Sequence, residues 1–235
     1  MKTVIMQPYM FPYLGYYQLI VACDVFISLD NVQYIERGWV NRNRILVQGR
    51  ADYFTIPVKK SSRHFWINRR FVFEDERVLK KIERKLEYSY LKAPYYNEVS
   101  TIVRDVLYGG ENNIARMAES SLKSIMSYLG IERTFLCASD LITDKDAVQL
   151  GGADKLIALA KKVGADTYIN PIGGLELYSK DLFSAKGVSL FFCKPCLPAY
   201  DQGIEEFIPG LSIIDVLMFN SVDKVLKMMT CYELI

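Results

Sequence analysis

Three stretches of the chain gather side chains that could hold a polar ligand. The first, QPYMFPYLGYYQ, brings together Gln7, Tyr13, Tyr16 and Gln18 as hydrogen-bonding groups and ring faces. Pro8, Pro12 and Gly15 make it a loop that opens onto a helix. A glycine beside helix N-terminal amides can take a phosphate. The second stretch, DNVQYIERGWVNRNRI, starts with Asp30 and Gln33 and ends in alternating asparagine and arginine. Arg42 and Arg44 are two residues apart, so a strand puts both on one face and Asn41 and Asn43 on the other. Guanidinium forks bind phosphate or carboxylate at two points. The third stretch, PAYDQGIEEFIPGLSIID, offers Tyr200 and Gln202 in a loop, and Ser212 and Asp215 at the start of a helix. A cap and a first-turn carboxylate account for Ser212 and Asp215 without any function. Ring packing accounts for the first stretch in the same way, and a charged strand edge for the second.

Other chemistries find little support. His64 is the only histidine, so neither a histidine metal site nor a two-histidine acid–base pair can be built, and no metal is expected. In SSRHFW it reads as an exposed residue. Cys193-Lys-Pro-Cys196 has CxxC spacing, but one such pair does not complete a tetrahedral zinc site. No GxGxxG, GxxxxGK[ST] or GxSxG occurs, which leaves standard dinucleotide, P-loop and hydrolase-elbow sites unsupported. The tyrosine cluster YSYLKAPYY reads as core or interface.

The net charge of +2 on 235 residues hides an asymmetry. Arg37 to Arg70 holds nine cations and one anion, a net of +8, which leaves −6 for the rest. A basic segment on an acidic body points to an anionic ligand rather than to a protein that coats nucleic acid. The hydrophobic fraction of 51% and charged fraction of 24% suit a chain with a real core. Five cysteines, an odd count with only one close pair, argue against a secreted disulfide framework. Neither a signal peptide nor a run of about 18 apolar residues is evident. The expectation is a soluble, reduced, cytoplasmic protein without a transmembrane segment; its oligomeric state stays open.

These residues need elements to position them. Thr3–Gln7 reads as a strand, Gly15 to about Cys23 as a helix and Asp24–Asp30 as a buried strand, the size of a βαβ unit with parallel pairing. Arg44–Gln48 and Tyr53–Val58 alternate around the turn QGRAD, and Phe65–Phe73 alternates again. Helices are expected over Asp75–Tyr90, Pro94–Leu107 with Pro94 in its first turn, and Asn112–Leu129, with Gly109-Gly110 and Gly130 as stops. The tail returns to α/β: strands at Thr134–Ala138, Thr167–Asn170 and Val188–Phe192, and helices at Gly152–Val163, Leu211–Met218 and Val222–Met229. The predicted architecture is one α/β domain over 1–235, with a Rossmann-like, mainly parallel sheet formed by both chain ends. A β-rich antiparallel insertion occupies 37–73 and a helical segment 75–130.

The same blocks carry a family likeness. QPYMFPYLGYYQLIVACDVFISLDNVQYIERGWVNRNRI resembles the start of the WbqC-like family of bacterial proteins. GADTYINPIGG, the later Y-x-x-D-L-F, PAYDQ and FIPGLSIIDVLMFN resemble its later blocks, so the likeness spans nearly the whole chain. The family pattern commonly has a glycine after the final asparagine, where this chain has Ser221. The resemblance implies a place in O-antigen or other surface-polysaccharide (lipopolysaccharide) assembly. It implies a nucleotide-linked sugar as substrate, with an activated acyl donor or carrier as second partner. Under it the chain is expected to be a transferase, moving an N-acyl or aminoacyl group onto an amino sugar. Arg42 and Arg44 would hold phosphate, Gln7, Gln33, Tyr13 and Tyr16 would orient the substrate, and Asp30 or Asp215 would be a candidate base for an ammonium group. A more distant likeness suggests an alternative. Nucleotidyltransferases and pantothenate-synthetase-like ligases carry HxGH after the first strand, where this chain has Tyr13-Leu14-Gly15-Tyr16. Tyrosine hydroxyls can donate to phosphate but carry no positive charge near neutral pH. A non-catalytic partner of the polysaccharide machinery is the third reading.

Overall fold

A computed structural model describes residues 1–60, 65–73 and 75–235. The chain opens with β1 (Lys2–Met6), α1 (Leu14–Ala22) and β2 (Val25–Ser28). A hairpin follows, β3 (Arg42–Val47) and β4 (Arg50–Thr55), then three helices, α2 (Glu76–Tyr90), α3 (Tyr96–Tyr108) and α4 (Ile114–Tyr128). The tail holds β5 (Thr134–Cys137), α5 (Ala138–Leu141), α6 (Asp144–Gln149), α7 (Gly152–Lys162), β6 (Thr167–Pro171), α8 (Lys180–Ala185), β7 (Ser189–Pro195), α9 (Ile213–Phe219), α10 (Val222–Met229) and β8 (Tyr232–Leu234).

Six strands form one sheet in the order β5-β2-β1-β6-β7-β8. The first five pair in parallel, and β8 runs antiparallel to β7. Strand alternation splits the core in two. Val4, Phe26 and Ile169 face α1, α4, α9 and α10, while Ile5, Ile27 and Tyr168 face α5, α7 and α8. Both faces are covered, which is why the strands read as apolar runs. Helix α1 is buried at every position except Val21, so it has no polar stripe. Its single side-chain amide, Gln18, is half-satisfied inside: Nε2 donates to the carbonyls of Cys196, Met228 and Cys231, while Oε1 is buried without a partner. No helix among the described residues is long and apolar enough to cross a membrane.

The predicted mixed α/β architecture with a mainly parallel sheet is what the chain forms. Within it, the turn of the hairpin is set by Gln48 and Gly49, with φ of 50° and 72°, the left-handed pair that a two-residue hairpin turn demands. Four local expectations need correction. The turn is shorter than QGRAD: residues 50–52 already belong to β4, which ends at Thr55 and not at Val58. The alternation over Phe65–Phe73 does not make a third strand. Ile67–Arg69 winds into a 3₁₀ turn, and the flanking backbone is laced to separate partners: Phe65 and Ile67 to the 32–34 segment, Phe71 and Phe73 to 57–59, Val72 to Asn112. Pro94 lies ahead of α3, which starts at Tyr96. The short strand β8 was not anticipated; three residues offer no readable period. His64 falls outside the described residues.

Candidate functional site

Chain order and strand order meet at one crevice. From β1 the sheet grows to β2 on one side and to β6 on the other. Loops leaving the carboxyl ends of these strands part there, the place where open α/β sheets take ligands. A cavity of about 400 Å³ occupies this point. Its walls are Met6, Tyr9, Pro12 and Tyr13 from β1 and the loop after it, Tyr16 and Leu19 from α1, Trp39 just ahead of the hairpin, Asn43 and Arg44 from β3, Pro171 from the end of β6, and Leu197 and Gly210 from the tail. The N-terminal, hairpin and tail stretches, far apart in sequence, therefore share one wall.

The β1–α1 loop is held in a costly shape. Phe11 is fully buried with φ of 41°, a left-handed conformation for a bulky residue directly before a proline, worth about 1–3 kcal/mol of strain. Three side chains pin it. Its N–H donates to Ser121 Oγ at 3.1 Å, and its carbonyl accepts from Ser212 Oγ at 2.6 Å and Asn43 Nδ2 at 3.0 Å. Ser212 also caps α9 by accepting from the Ile214 N–H. Gly15, in the first turn of α1, completes the arrangement: a Cβ there would lie 2.5 Å from the Tyr13 ring, so only glycine lets that ring fold over this turn. Tyr16 donates from its hydroxyl to the Gln7 carbonyl at 2.6 Å. Burial raises the hydroxyl pKa of Tyr9, Tyr13 and Tyr16 above the ordinary value, so near neutral pH they serve as neutral hydrogen-bonding groups.

Arg44 is the cation of the cavity. Its Nη2 donates to the Gly210 carbonyl at 3.2 Å, and its guanidinium stands 5.8 Å from the Trp39 ring centre. Its Nε is buried and has no partner. A buried donor without an acceptor costs about 1–3 kcal/mol. Arg42 does share the face of β3 with Arg44, but it is tied locally: it donates to the carbonyls of Arg37 and Gly38 and lies 4.4 Å from the Tyr53 ring centre. Asn41 and Asn43 are buried on the opposite face. Asn41 links Tyr34 to the Ile56 carbonyl.

The remaining expected residues are placed as follows. Asp215 is fully buried behind the cavity and accepts from Tyr90, Tyr200 and Gln202, at 2.7, 2.5 and 2.8 Å. Tyr90 in turn accepts from the Leu46 N–H of β3. Tyr200 lines a small hollow of about 20 Å³ that shares Tyr13, Leu197 and Gly210 with the main cavity. Burial raises the Asp215 carboxyl pKa, and the three donors oppose that rise. Asp30 is also buried, and its carboxylate accepts from the N–H and Oγ of Ser139, bracing the turn from β5 into α5. Burial raises it too. Neither aspartate lines the cavity. Gln33 lies on the surface, bridged to Trp66. Sequence reasoning missed Phe11, read Tyr90 only as core or interface, and missed the set beside Asp30 in which buried Cys137 donates to buried Glu119 at 2.9 Å and the exposed Arg116 donates to the Cys137 sulfur at 2.8 Å. Periodicity carries no sign of such partners.

Together, fold and cavity define a doubly wound α/β protein with an aromatic crevice at its switch point, one arginine in its wall. The chain belongs to the WbqC-like protein family, whose model matches residues 7–227. It is similar to the uncharacterized protein Rv1507c of Mycobacterium tuberculosis, with 28% identity over 222 residues that cover 93% of each chain. No solved structure matches it significantly.

Proposed function

We propose that this protein is a cytoplasmic transferase of surface-polysaccharide assembly that binds a nucleotide-linked amino sugar in the switch-point cavity and accepts an N-acyl or aminoacyl group onto it. The observation that carries the reading is the buried, unpartnered Arg44 Nε in a cavity walled by Tyr9, Tyr13, Tyr16 and Trp39. A sugar nucleotide offers both complements: phosphate oxygens for the guanidinium fork and a flat base or sugar face for the rings. The sugar amine would attack the activated acyl carbonyl, and the donor's leaving group would depart with the proton. With no carboxylate in the cavity wall among the described residues, the rate gain rests on positioning and oriented hydrogen-bond donors. In this reading Asp215 is a positioning residue that acts through Tyr200 and Gln202. Membership in the WbqC-like family supports the pathway more than the reaction.

One observation favours a second reading. Tyr13 and Tyr16 both line the cavity at the place where an HxGH motif would serve nucleotidyl transfer or an ATP-dependent ligase. Calorimetry and thermal shift with UDP- and dTDP-linked amino sugars, run in parallel with ATP, separate the two, because a ligand of the native state raises its stability. Stabilisation by the sugar nucleotides alone is the expected result. Response to ATP alone turns the assignment to the ligase, and response to none of them turns it to a non-catalytic partner.

A further inference from the structure

The segment Cys193-Lys194-Pro195-Cys196 invites pairing within the motif, but the sheet separates its two thiols. Cys193 is buried in β7 against the core that holds α1. Cys196 stands just past the end of β7 and is exposed. The antiparallel edge gives it another neighbour. β7 and β8 pair Cys193 with Leu234, Lys194 with Glu233 and Pro195 with Tyr232, so the next rung sets Cys196 opposite Cys231. The Cys196 N–H donates to the Cys231 carbonyl at 3.1 Å. Phe192 and Ile235, four residues along each strand, exchange both backbone hydrogen bonds. The register puts Cys196 opposite Cys231 just beyond the ladder's end with one of the two bonds of such a rung, the Cys231 N–H turning instead to the Met228 carbonyl; a full rung holds Cα atoms about 5.5 Å apart, inside the range a disulfide spans.

Two further features suit the rung to thiol chemistry. Cys231 is exposed like Cys196, so a dissolved oxidant can reach both. The two thiols are also neighbours: Cys196 raises the Cys231 thiol above its ordinary pKa, so attack starts from a minor thiolate population. Beneath them the backbone is braced. Gln18 Nε2, fully buried in α1, donates to the carbonyls of Cys196 and Cys231 at 2.7 and 3.0 Å. Closing the bond then asks for side-chain rotation rather than backbone movement. The next residue, Leu197, is a wall of the ligand cavity.

We propose that Cys196 and Cys231 are a redox-active thiol pair that closes to an intramolecular disulfide across the β7–β8 edge, at the rim of the cavity. With glutathione disulfide as oxidant, one cysteine thiolate attacks a glutathione sulfur, and the other glutathione leaves as its thiolate. The second cysteine thiolate attacks the mixed disulfide at the cysteine sulfur and expels the remaining glutathione. Two electrons pass to glutathione disulfide, and the two cysteine protons end on two glutathione thiols.

The test uses the reduced, folded full chain incubated with glutathione disulfide, alkylated in acid, digested and mapped by mass spectrometry. The expected result is loss of two of the five free thiols and a linked peptide joining Cys196 to Cys231. Cys193→Ser should leave that product unchanged, and Cys196→Ser should trap a lasting glutathione adduct on Cys231. A Cys193–Cys196 link, a link between chains, a stable glutathione adduct on the unaltered protein or five free thiols would each overturn the proposal.

Discussion

Replacing Arg44 by methionine separates the cost of folding from the cost of binding. The substitution keeps most of the stem against Trp39 and removes the guanidinium. On the folding side it loses the Nη2 bond to the Gly210 carbonyl and the ring contact with Trp39, about 1 kcal/mol for the first and about 0.5–1 kcal/mol for the second. It also removes the unpartnered buried Nε, which returns about 1–3 kcal/mol. The terms nearly cancel, so stability should change by no more than about 1.5 kcal/mol in either direction, a Tm shift of at most roughly 3–6 °C for a chain of this size. Binding has no such compensation. A lost two-point guanidinium–phosphate contact of about 2–3 kcal/mol weakens Kd about 30- to 140-fold. Arg44→Lys keeps a charge but not the fork, so it should fall between. Calorimetry with a UDP-amino sugar at two salt concentrations reads the result, and the wild type should show the steeper salt dependence. If Arg44→Met binds within about threefold of wild type, Arg44 does not hold the phosphate. If instead it unfolds, the near-cancellation is wrong.

Three further outcomes follow from the site's supports. Gly174→Ala would put a Cβ 1.9 Å from the buried Asn170 Nδ2, whereas Gly173 opens onto free space; chemical denaturation should show a loss of about 1–3 kcal/mol for the first and little change for Gly173→Ala. Asn43→Asp sets a carboxyl against the carbonyls of Met10 and Phe11; its neutral form can still donate to one of them, so the penalty should grow as pH rises and reach about 3 kcal/mol near neutrality. Asp215 behaves in the opposite sense. Its folded pKa is raised above the ordinary 3.8, so its contribution is complete at lower pH and declines as pH climbs from that value through the folded one. The stability gap between wild type and Asp215→Asn, followed by thermal melts across acid to neutral pH, should therefore narrow as pH rises, and a widening gap would refute the burial argument.

What the sequence revealed and what it hid divide along physical lines. The buried strands around Val4 and Phe26 and the amphipathic helix over residues 76–90 follow from local pattern, and they were readable. So was the face shared by Arg42 and Arg44, since strand alternation needs no knowledge of tertiary contacts. Phe65–Phe73 misled because alternation signals a strand only when a continuous partner exists. Here the backbone bonds of that segment go to three different neighbours. The strain at Phe11 was hidden because nothing local requires it; Asn43, Ser121 and Ser212 impose it from 32 to 201 residues away. Asp215 was legible as a first-turn carboxylate but not as the centre of a buried network, for the same reason.

The basic segment itself comes apart once its side chains are traced. Arg69 pairs with Asp144 on the surface. Arg70 is buried with its guanidinium 4.8 Å from the Tyr34 ring centre. Arg50, Lys59 and Lys60 are exposed, and Arg42 is tied to its own loop. Of the nine cations, the described residues put Arg44 alone in the cavity wall. A net of +8 therefore does not act as one anion trap. Exposed charges more than a Debye length of about 8 Å from a ligand are largely screened at physiological salt, so the outlying lysines and arginines can raise the rate of encounter without fixing the complex. Affinity should rest on one desolvated guanidinium and the rings around it. That division predicts that Lys59→Ala and Lys60→Ala slow association in stopped-flow binding at low salt while leaving dissociation unchanged. Arg44→Met should act mainly on dissociation, and equal effects of the two kinds of change on the off-rate would mean that the segment binds as a unit after all.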